Sequence, residues 1–501
     1  MREKFKIKNK YLDYNYYLNN KDNYYFLKHN IKKNNNVFIT NMLKEKYIIN
    51  DIKLDYNQKE AIYTNEENVL VLSGAGSGKT LTILGKIKYL IDNLHVNEKE
   101  ILCISFTNET VNDLKQKINY DVDIFTFHKL ALEIINDYNM NVKITSDYLN
   151  YIINEIFLCI VKDIDEKNLN YFNNTISSFI NLFKNYNYDS NYFNKLLKKH
   201  YSKLLELTFK IYLVYQEELN SSNYIDFNDM INLSIKLINE KGLKRYYKYI
   251  IIDEFQDISD NRYKLVKTIK ESCMSKIFAV GDDYQSIYRF TGSNINMITK
   301  FEKYFGFTKI IKINNTYRNS YELIKVASSF IMKNKNQMKK NLKSNKHINK
   351  PIKIIYYNKN MSIKLEKVLN TINNDVLILG RNNYDINYVL NDEMILNKNV
   401  LLYKEKEYKY MTIHKSKGLE EEEVIILNLN NNYFPSKNKN EITNLLLSKE
   451  KYLFEEERRL FYVALTRTKN NVYLFVDKDN PSIFVKEIIK RNKKYIEVLD
   501  L

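Results

Sequence analysis

The chain has 501 residues, 44% hydrophobic and 28% charged, a composition that excludes wholesale disorder and leaves ample chain to bury large cores. Lys and Arg outnumber Asp and Glu by 78 to 60, and the net charge of +18 favours an anionic partner, nucleic acid first, although AT-rich codon usage produces the same Lys, Asn, Ile and Tyr enrichment. No apolar run is long enough to span a membrane, the basic N-terminus lacks the apolar stretch of a secretory signal, and three isolated cysteines and six scattered histidines form neither a disulfide framework nor a zinc knuckle.

At about 150 residues per domain the length predicts about three domains. Residues 1–50 are rich in Asn, Lys and Tyr and give no firm element. Beyond them, short β-branched runs recur at 69–72, 101–105, 249–253, 277–281, 310–313, 352–356, 376–379, 424–429 and 472–476. They read as strands buried on both faces, with helical segments between them. Leu81, Ile83, Leu84, Ile87, Leu90 and Ile91, for example, follow helical spacing. The alternation predicts an α/β fold with parallel sheets. Residues 147–222 have helical apolar spacing and no clear strand, which predicts a helical insertion. Asn and Lys dominate 333–350, which reads as a surface connection.

Glycine is scarce, with only ten in the chain, yet Gly74, Gly76 and Gly78 fall within five residues. Ser73-Gly74-Ala75-Gly76-Ser77-Gly78-Lys79-Thr80 lies between an expected strand and an expected helix, the context of a phosphate-binding loop. In such a loop Lys79 reaches the β- and γ-phosphates of ATP and the Thr80 hydroxyl ligates Mg²⁺. Ser73 stands where the usual pattern has Gly or Ala. Downstream, Ile250-Ile251-Ile252 runs into Asp253 and Glu254. Adjacent carboxylates at a strand end point to different sides, so Asp253 suits Mg²⁺ and Glu254 suits orienting or deprotonating a water.

Asp253-Glu254-Phe255-Gln256-Asp257 resembles motif II of the superfamily 1 DNA helicases of the UvrD/Rep type, and within them the helicase IV group. Further segments follow in that family's order over about residues 54–490. Leu54-Asp55-Tyr56-Asn57-Gln58 resembles the adenine-reading motif, and Phe106-Thr107-Asn108 and Thr126-Phe127-His128 resemble strand-contacting motifs. Motif III is matched from Val280 to Phe290, motif IV at Thr316-Tyr317-Arg318, motif V from Met411 to Glu420, and motif VI from Glu455 to Arg467.

The resemblance implies two RecA-like parallel-sheet domains of the phosphate-loop NTPase type, with ATP between them. The first is expected at 51–146 and 223–305, interrupted by the helical insertion at 147–222, and the second at 306–501. The 92 residues between Arg318 and Met411 leave no room for the further large domain that some relatives insert there. The implied activity is a DNA-stimulated ATPase that translocates 3′→5′ on single-stranded DNA and opens duplex junctions, in the cytoplasm with the nucleoid. Gln58 is expected to read adenine, Tyr317 to stack on it, Glu420 to approach the ribose, Gln285 to sense the γ-phosphate, and Arg318 and Arg467 to act as arginine fingers. Phe106, Tyr288 and Phe290 are expected to stack bases, with Thr107, Asn108, His128, Arg381, Thr412 and His414 on the strand backbone. Phe290 stands where many relatives have Trp, and Thr291 where many have Arg. Glu421-Glu422-Glu423 follow motif V where relatives often carry an aromatic, and read as a solvated face.

Other classes fit less well. A transcription-associated remodelling protein would need long coiled coils, and no sustained heptads occur; nothing indicates RNA polymerase or repair proteins as partners. A helicase–nuclease is not expected, since 34 residues follow Arg467. A catalytically dead binding module would not retain every one of these charged motif residues.

Overall fold

The computed structural model describes residues 5–7, 10–12, 48–49, 52–160, 165–436, 442–447 and 450–501. Most of the N-terminal segment therefore lies outside the described residues. Two sheets organise the rest. The first contains β1 (Asn68–Leu72), β2 (Ile101–Ser105), β3 (Asp123–Thr126), β4 (Tyr249–Ile252), β5 (Lys276–Gly281) and β6 (Lys309–Lys312). Its order is β6–β1–β5–β4–β2–β3, and every pairing is parallel. β1, β2 and β4 are buried throughout, the burial of a sheet covered on both sides.

Helices α1 (Tyr56–Tyr63), α2 (Lys79–Asp92) and α3 (Asn108–Lys117) cover one face through Ile62, Ile83, Ile87, Val111 and Leu114. The other face packs against α4 (Phe127–Asp137), α9 (Phe227–Lys241) and α10 (Asp260–Cys273) through Ile134, Ile231, Ile238 and Leu265. Between α4 and α9 the chain forms four helices: α5 (Tyr148–Ile160), α6 (Glu166–Asn185), α7 (Ser190–Lys199) and α8 (Lys203–Ser221). They have their own core, around Phe179, Phe183 and Phe193, which Ile442, Leu446 and Leu447 join from the distant C-terminal part of the chain. A short parallel pair, Lys143–Ile144 with Tyr224–Ile225, closes the neck of this helical unit.

The second sheet contains β7 (Ile352–Tyr357), β8 (Val376–Gly380), β9 (Met394–Asn397), β10 (Val400–Tyr403), β11 (Lys406–Thr412), β12 (Glu423–Leu429), β13 (Val472–Asp477) and β14 (Ile496–Val498). Their order is β9–β10–β11–β8–β12–β13–β7–β14. One face is covered by α11 (Tyr321–Ile331), α13 (Glu455–Leu465) and α14 (Ile483–Asn492), the other by α12 (Met361–Thr371).

Four details correct the sequence reading. β6 was expected in the second unit, from 306 onward, but it pairs with β1, Ile310 opposite Leu70. Asn68 fixes that edge by donating to the carbonyls of Phe305 and Phe307, at 2.9 and 3.0 Å. The second sheet is not wholly parallel: β9, β10 and β11 form antiparallel hairpins at its edge. These strands have an exposed face and so lack the unbroken apolar run that marks the others in the sequence. The 333–350 segment is no mere surface connection, because Lys340 is entirely buried. Finally, Glu423 is buried in β12, where it accepts from Asn374 and Asn471, rather than belonging to a solvated face.

Candidate nucleotide and nucleic-acid site

The phosphate-type loop leaves the end of β1 and enters α2. Gly76 and Gly78 have φ of +66° and +77°, a left-handed backbone that side chains with a Cβ disfavour. Gly78 caps α2 without any side-chain hydrogen bond, so the first turn of the helix presents free backbone N–H groups. The Ser77 hydroxyl is buried and has no partner among the described residues. The loop is anchored from below, where Ser73 N donates to Gly281 O at 3.0 Å. An N–H-lined cradle with an orphaned hydroxyl fits phosphate groups. Among the described residues no group of three His, Cys, Asp or Glu side chains gathers to hold a metal. A divalent cation here would rest on Thr80, Asp253 and phosphate oxygens, which is how Mg²⁺ is usually held.

Facing the loop, Asp253 and Glu254 follow the end of β4. Glu254 has a φ of +46°, rare for a residue with a side chain and typical of strained functional positions. Asp253 Oδ1 accepts from Glu254 N at 2.8 Å, which holds the turn. Lys79 Nζ donates to Glu254, and Gln256 donates to the second Glu254 oxygen. Burial alone would raise the Glu254 pKa, but Lys79 and Lys417 overcome it and hold the group at about 2. Asp253, buried beside Glu254, is pushed up to about 7.

Motif III links this pair to the second sheet. Gln256 Oε1 accepts from Asp282 N at 2.9 Å, and Gln285 Nε2 donates to Asp282 Oδ2 at 2.7 Å. Arg467, at the end of α13, then donates to Gln285 Oε1 at 3.0 Å. Arg467 is 1% exposed, and burial together with the neighbouring Arg318 lowers its pKa to about 9. Arg318 lies against Gly76, where an added Cβ would come within 2.4 Å of the Arg318 Cβ. It donates to Glu420 and to Thr466 O. Thr316 Oγ1 donates to Ala75 O at 2.7 Å and Tyr317 N to Gly76 O at 2.8 Å, so motif IV is stitched to the loop itself.

A lateral wall completes this cleft. Asp55 caps α1, receiving the Gln58 backbone N–H while its own N–H bonds the Gln58 side chain. Gln58 Nε2 also donates to Ser77 O at 3.2 Å. The Tyr317 hydroxyl donates to Asp55 Oδ2 at 2.9 Å, and its ring is 61% exposed. An exposed aromatic and an amide thus flank one side of the loop. Gln58, Lys79, Asp253, Glu254, Gln285, Tyr317, Arg318, Glu420 and Arg467 thus lie around the loop within one set of linked hydrogen bonds.

The residues expected on the strand form two clusters. Phe106 packs edge-on to Phe127 at 5.2 Å beside the exposed Thr107 and Asn108, and His128 packs on Phe227 at 5.0 Å. In the other cluster Phe290, half exposed, meets His414 edge-on at 5.4 Å and Tyr288 at 6.2 Å, while the Tyr288 hydroxyl donates to His414 O. Burial first, then nearby cations, lowers His128 to about 4 and His414 to about 3. Both are neutral at pH 7 and offer hydrogen bonds rather than charge. Arg381 is held by Glu457, Nη2 to Oε1 at 2.7 Å. Thr412, half-buried, ends β11 and accepts weakly from Lys415 N at 3.4 Å.

Two residues escaped the sequence reading. Lys417 of motif V pairs with Asp257, donates to Gln285 O at 2.8 Å and lies 4.9 Å from the Tyr288 ring, bridging nucleotide and strand clusters. Lys340 pairs with Asp282 and Asp283, donates to Ser73 O at 3.3 Å and lies 3.7 Å from the Tyr284 ring. Leu342 in the same segment packs on Gly74. Lys417 was legible as a cation inside a motif; Lys340 sat in an Asn- and Lys-rich stretch with no local signal.

Comparison with known proteins agrees with this geometry. Residues 54–306 match the UvrD/REP helicase N-terminal domain and residues 387–479 the UvrD-like helicase C-terminal domain. The chain is 28% identical over 481 residues to DNA helicase IV of Escherichia coli (strain K12), covering 86% of this chain and 69% of that protein. It is 30% identical over 333 residues to ATP-dependent DNA helicase PcrA of Bacillus subtilis (strain 168), covering 62% and 44%. Over 345 residues it is 33% identical to ATP-dependent DNA helicase Rep of Buchnera aphidicola subsp. Baizongia pistaciae (strain Bp), covering 66% and 50%. It thus spans half or less of the PcrA and Rep relatives. With the N-terminal family domain covering half of its residues and the C-terminal one following in order, the chain belongs to the UvrD/Rep helicases.

Proposed function

We propose that this protein is an ATP-dependent DNA helicase that tracks 3′→5′ along single-stranded DNA and opens duplex at junctions, in DNA repair, recombination or replication, within the cytoplasm and on the nucleoid. The observation that carries the reading is Arg467 of the second sheet's α13 donating to Gln285, whose side chain is tied through Asp282 to the first sheet. Residues 51–146 and 223–312 then form one RecA-like lobe, 147–222 its insertion and 313–501 the second lobe, with β6 extending the first lobe past residue 305.

In the mechanism, Gln58 and Tyr317 hold adenine, Glu420 approaches the ribose, and the loop from Ser73 to Thr80 holds the phosphates. Lys79 exchanges its bond to Glu254 for phosphate oxygens, which frees Glu254 to orient and deprotonate the attacking water. Thr80 and Asp253 would hold Mg²⁺, which would supply positive charge against the phosphates. Gln285 contacts the γ-phosphate, and Arg318 and Arg467 meet the charge that spreads over the transferring group. Because the arginines and the phosphate loop lie on different lobes, each turnover draws the lobes together. Strand contacts on both, near Phe106 and Phe290 on one side and His414 on the other, convert closure into stepping. Direction follows the family resemblance.

ATP hydrolysis should rise when single-stranded DNA is added, and duplexes with a 3′ tail should open in preference to those with a 5′ tail. Opening of the 5′-tailed substrate alone reverses the assigned direction, and hydrolysis indifferent to DNA removes the coupling.

A further inference from the structure

Arg262 lies in the first turn of α10, in none of the motifs described above. Its guanidinium sits 5.1 Å from the Phe106 ring and 5.7 Å from the Phe127 ring. Those rings belong to the two strand-contacting segments of the first lobe. The same cation helps to depress His128, so it lies beside that residue too. Arg262 makes no side-chain hydrogen bond or ion pair with any described residue; only its backbone N–H is engaged, by Asn261. The carboxylate that acts on its charge, Asp257, pairs through Oδ2 with Lys417 and not with Arg262.

A cation pressed among aromatic rings and left without a counter-ion is costly unless an anion arrives. Desolvation already lowers the Arg262 pKa to about 10. The residue as a whole is nevertheless only partly buried. Around it, Thr107 and Asn108, which follow Phe106, are exposed, and Phe227, which packs on His128, is 44% exposed. A fork of donors on an aromatic platform matches the geometry of a phosphodiester whose base stacks on the adjacent ring.

We propose that Arg262 is a phosphate-binding residue of the single-strand site, gripping one phosphodiester between the Phe106 and His128 segments. This rests on the reading of the protein as a single-strand-tracking helicase. The arginine is then both the floor under Phe106 and a charge contact that couples the two segments to one nucleotide.

The test is binding of a fluorescent oligo-dT to the full chain over a range of salt, for wild type, Arg262→Gln and Arg262→Lys. Losing one phosphate contact should make the slope of log K against log salt shallower by about 0.7. Affinity at low salt should fall roughly tenfold to hundredfold in Arg262→Gln. Arg262→Lys should keep the wild-type slope, and Lys267→Gln, on an exposed part of the same helix, should change neither quantity. Thermal melting checks that each variant folds; if the Gln variant does not, Arg262→Met replaces it, because its apolar stem still covers the rings. Weaker binding with an unchanged slope overturns the proposal, leaving Arg262 as a packing support for Phe106. An unchanged affinity overturns it as well. Failure of the wild-type protein to bind oligo-dT refutes the helicase reading itself, a result distinct from either.

Discussion

Lys340→Met is the most discriminating perturbation of the fold. Lys340 is fully buried, as are both of its carboxylate partners, Asp282 and Asp283. Burial raises the Asp283 pKa, and the Lys340 charge opposes that rise. Lys340 itself stays charged, because the two carboxylates outweigh its own desolvation. Substituting Met preserves the stem over Tyr284 but leaves two carboxylates buried without a cation. Removing one partner of such a group costs about 3–5 kcal/mol. For a cooperative unit of about 150–250 residues each kcal/mol is worth about 2–4 °C, so melting should fall by roughly 6–20 °C. Asp282 also accepts from the Gln285 side chain, so ATP turnover should drop beyond what the folded fraction accounts for. Adding Asp283→Asn should recover part of the lost melting temperature by removing one uncompensated charge. The assay is thermal melting by circular dichroism together with single-turnover hydrolysis below the transition. Melting of Lys340→Met within about 2 °C of wild type would falsify the claim that this lysine compensates the two buried carboxylates.

Three further outcomes are expected. Glu254→Gln should still bind ATP while hydrolysis falls by about 10²–10⁴, the usual contribution of a general base, and wild-type turnover would remove that role. Phe290→Ala should weaken single-strand binding by about 1–3 kcal/mol, as measured by fluorescence anisotropy; an unchanged Kd would return the ring to core packing. Lys86 is buried, donates to Ile62 O and Thr64 O at 2.9 and 2.7 Å, and burial lowers its pKa to about 7. Above that value the unfolded chain binds the extra proton, so stability should rise between about pH 7 and 9, at no more than about 1.4 kcal/mol per pH unit. Melting scans of Lys86→Met should lack this rise, and a parallel rise in both proteins refutes the assignment.

The sequence by itself determined whatever is written in contiguous residues. Gly76 and Gly78 announced a left-handed loop because a chain with so few glycines retains them where the backbone demands it. The runs at β1, β2, β8 and β12 were legible because strands covered on both faces cannot carry polar side chains in alternation. The residues expected at the nucleotide could be named from sequence because motifs II to VI each place their chemistry within a few positions. Tertiary structure decided what depends on partners far along the chain. Lys340 looks like any surface lysine until Asp283 and Asp282, 57 and 58 residues away, enclose it. β6 has the pattern of an edge strand, and only its hydrogen bonds to β1 say which sheet it extends. Arg381 was expected on the strand backbone, and only the fold shows that Glu457, 76 residues on, pairs with it. In each case the local side chain is compatible with several environments. The choice among them is made by the charge or unpaired backbone edge that the folded chain brings alongside.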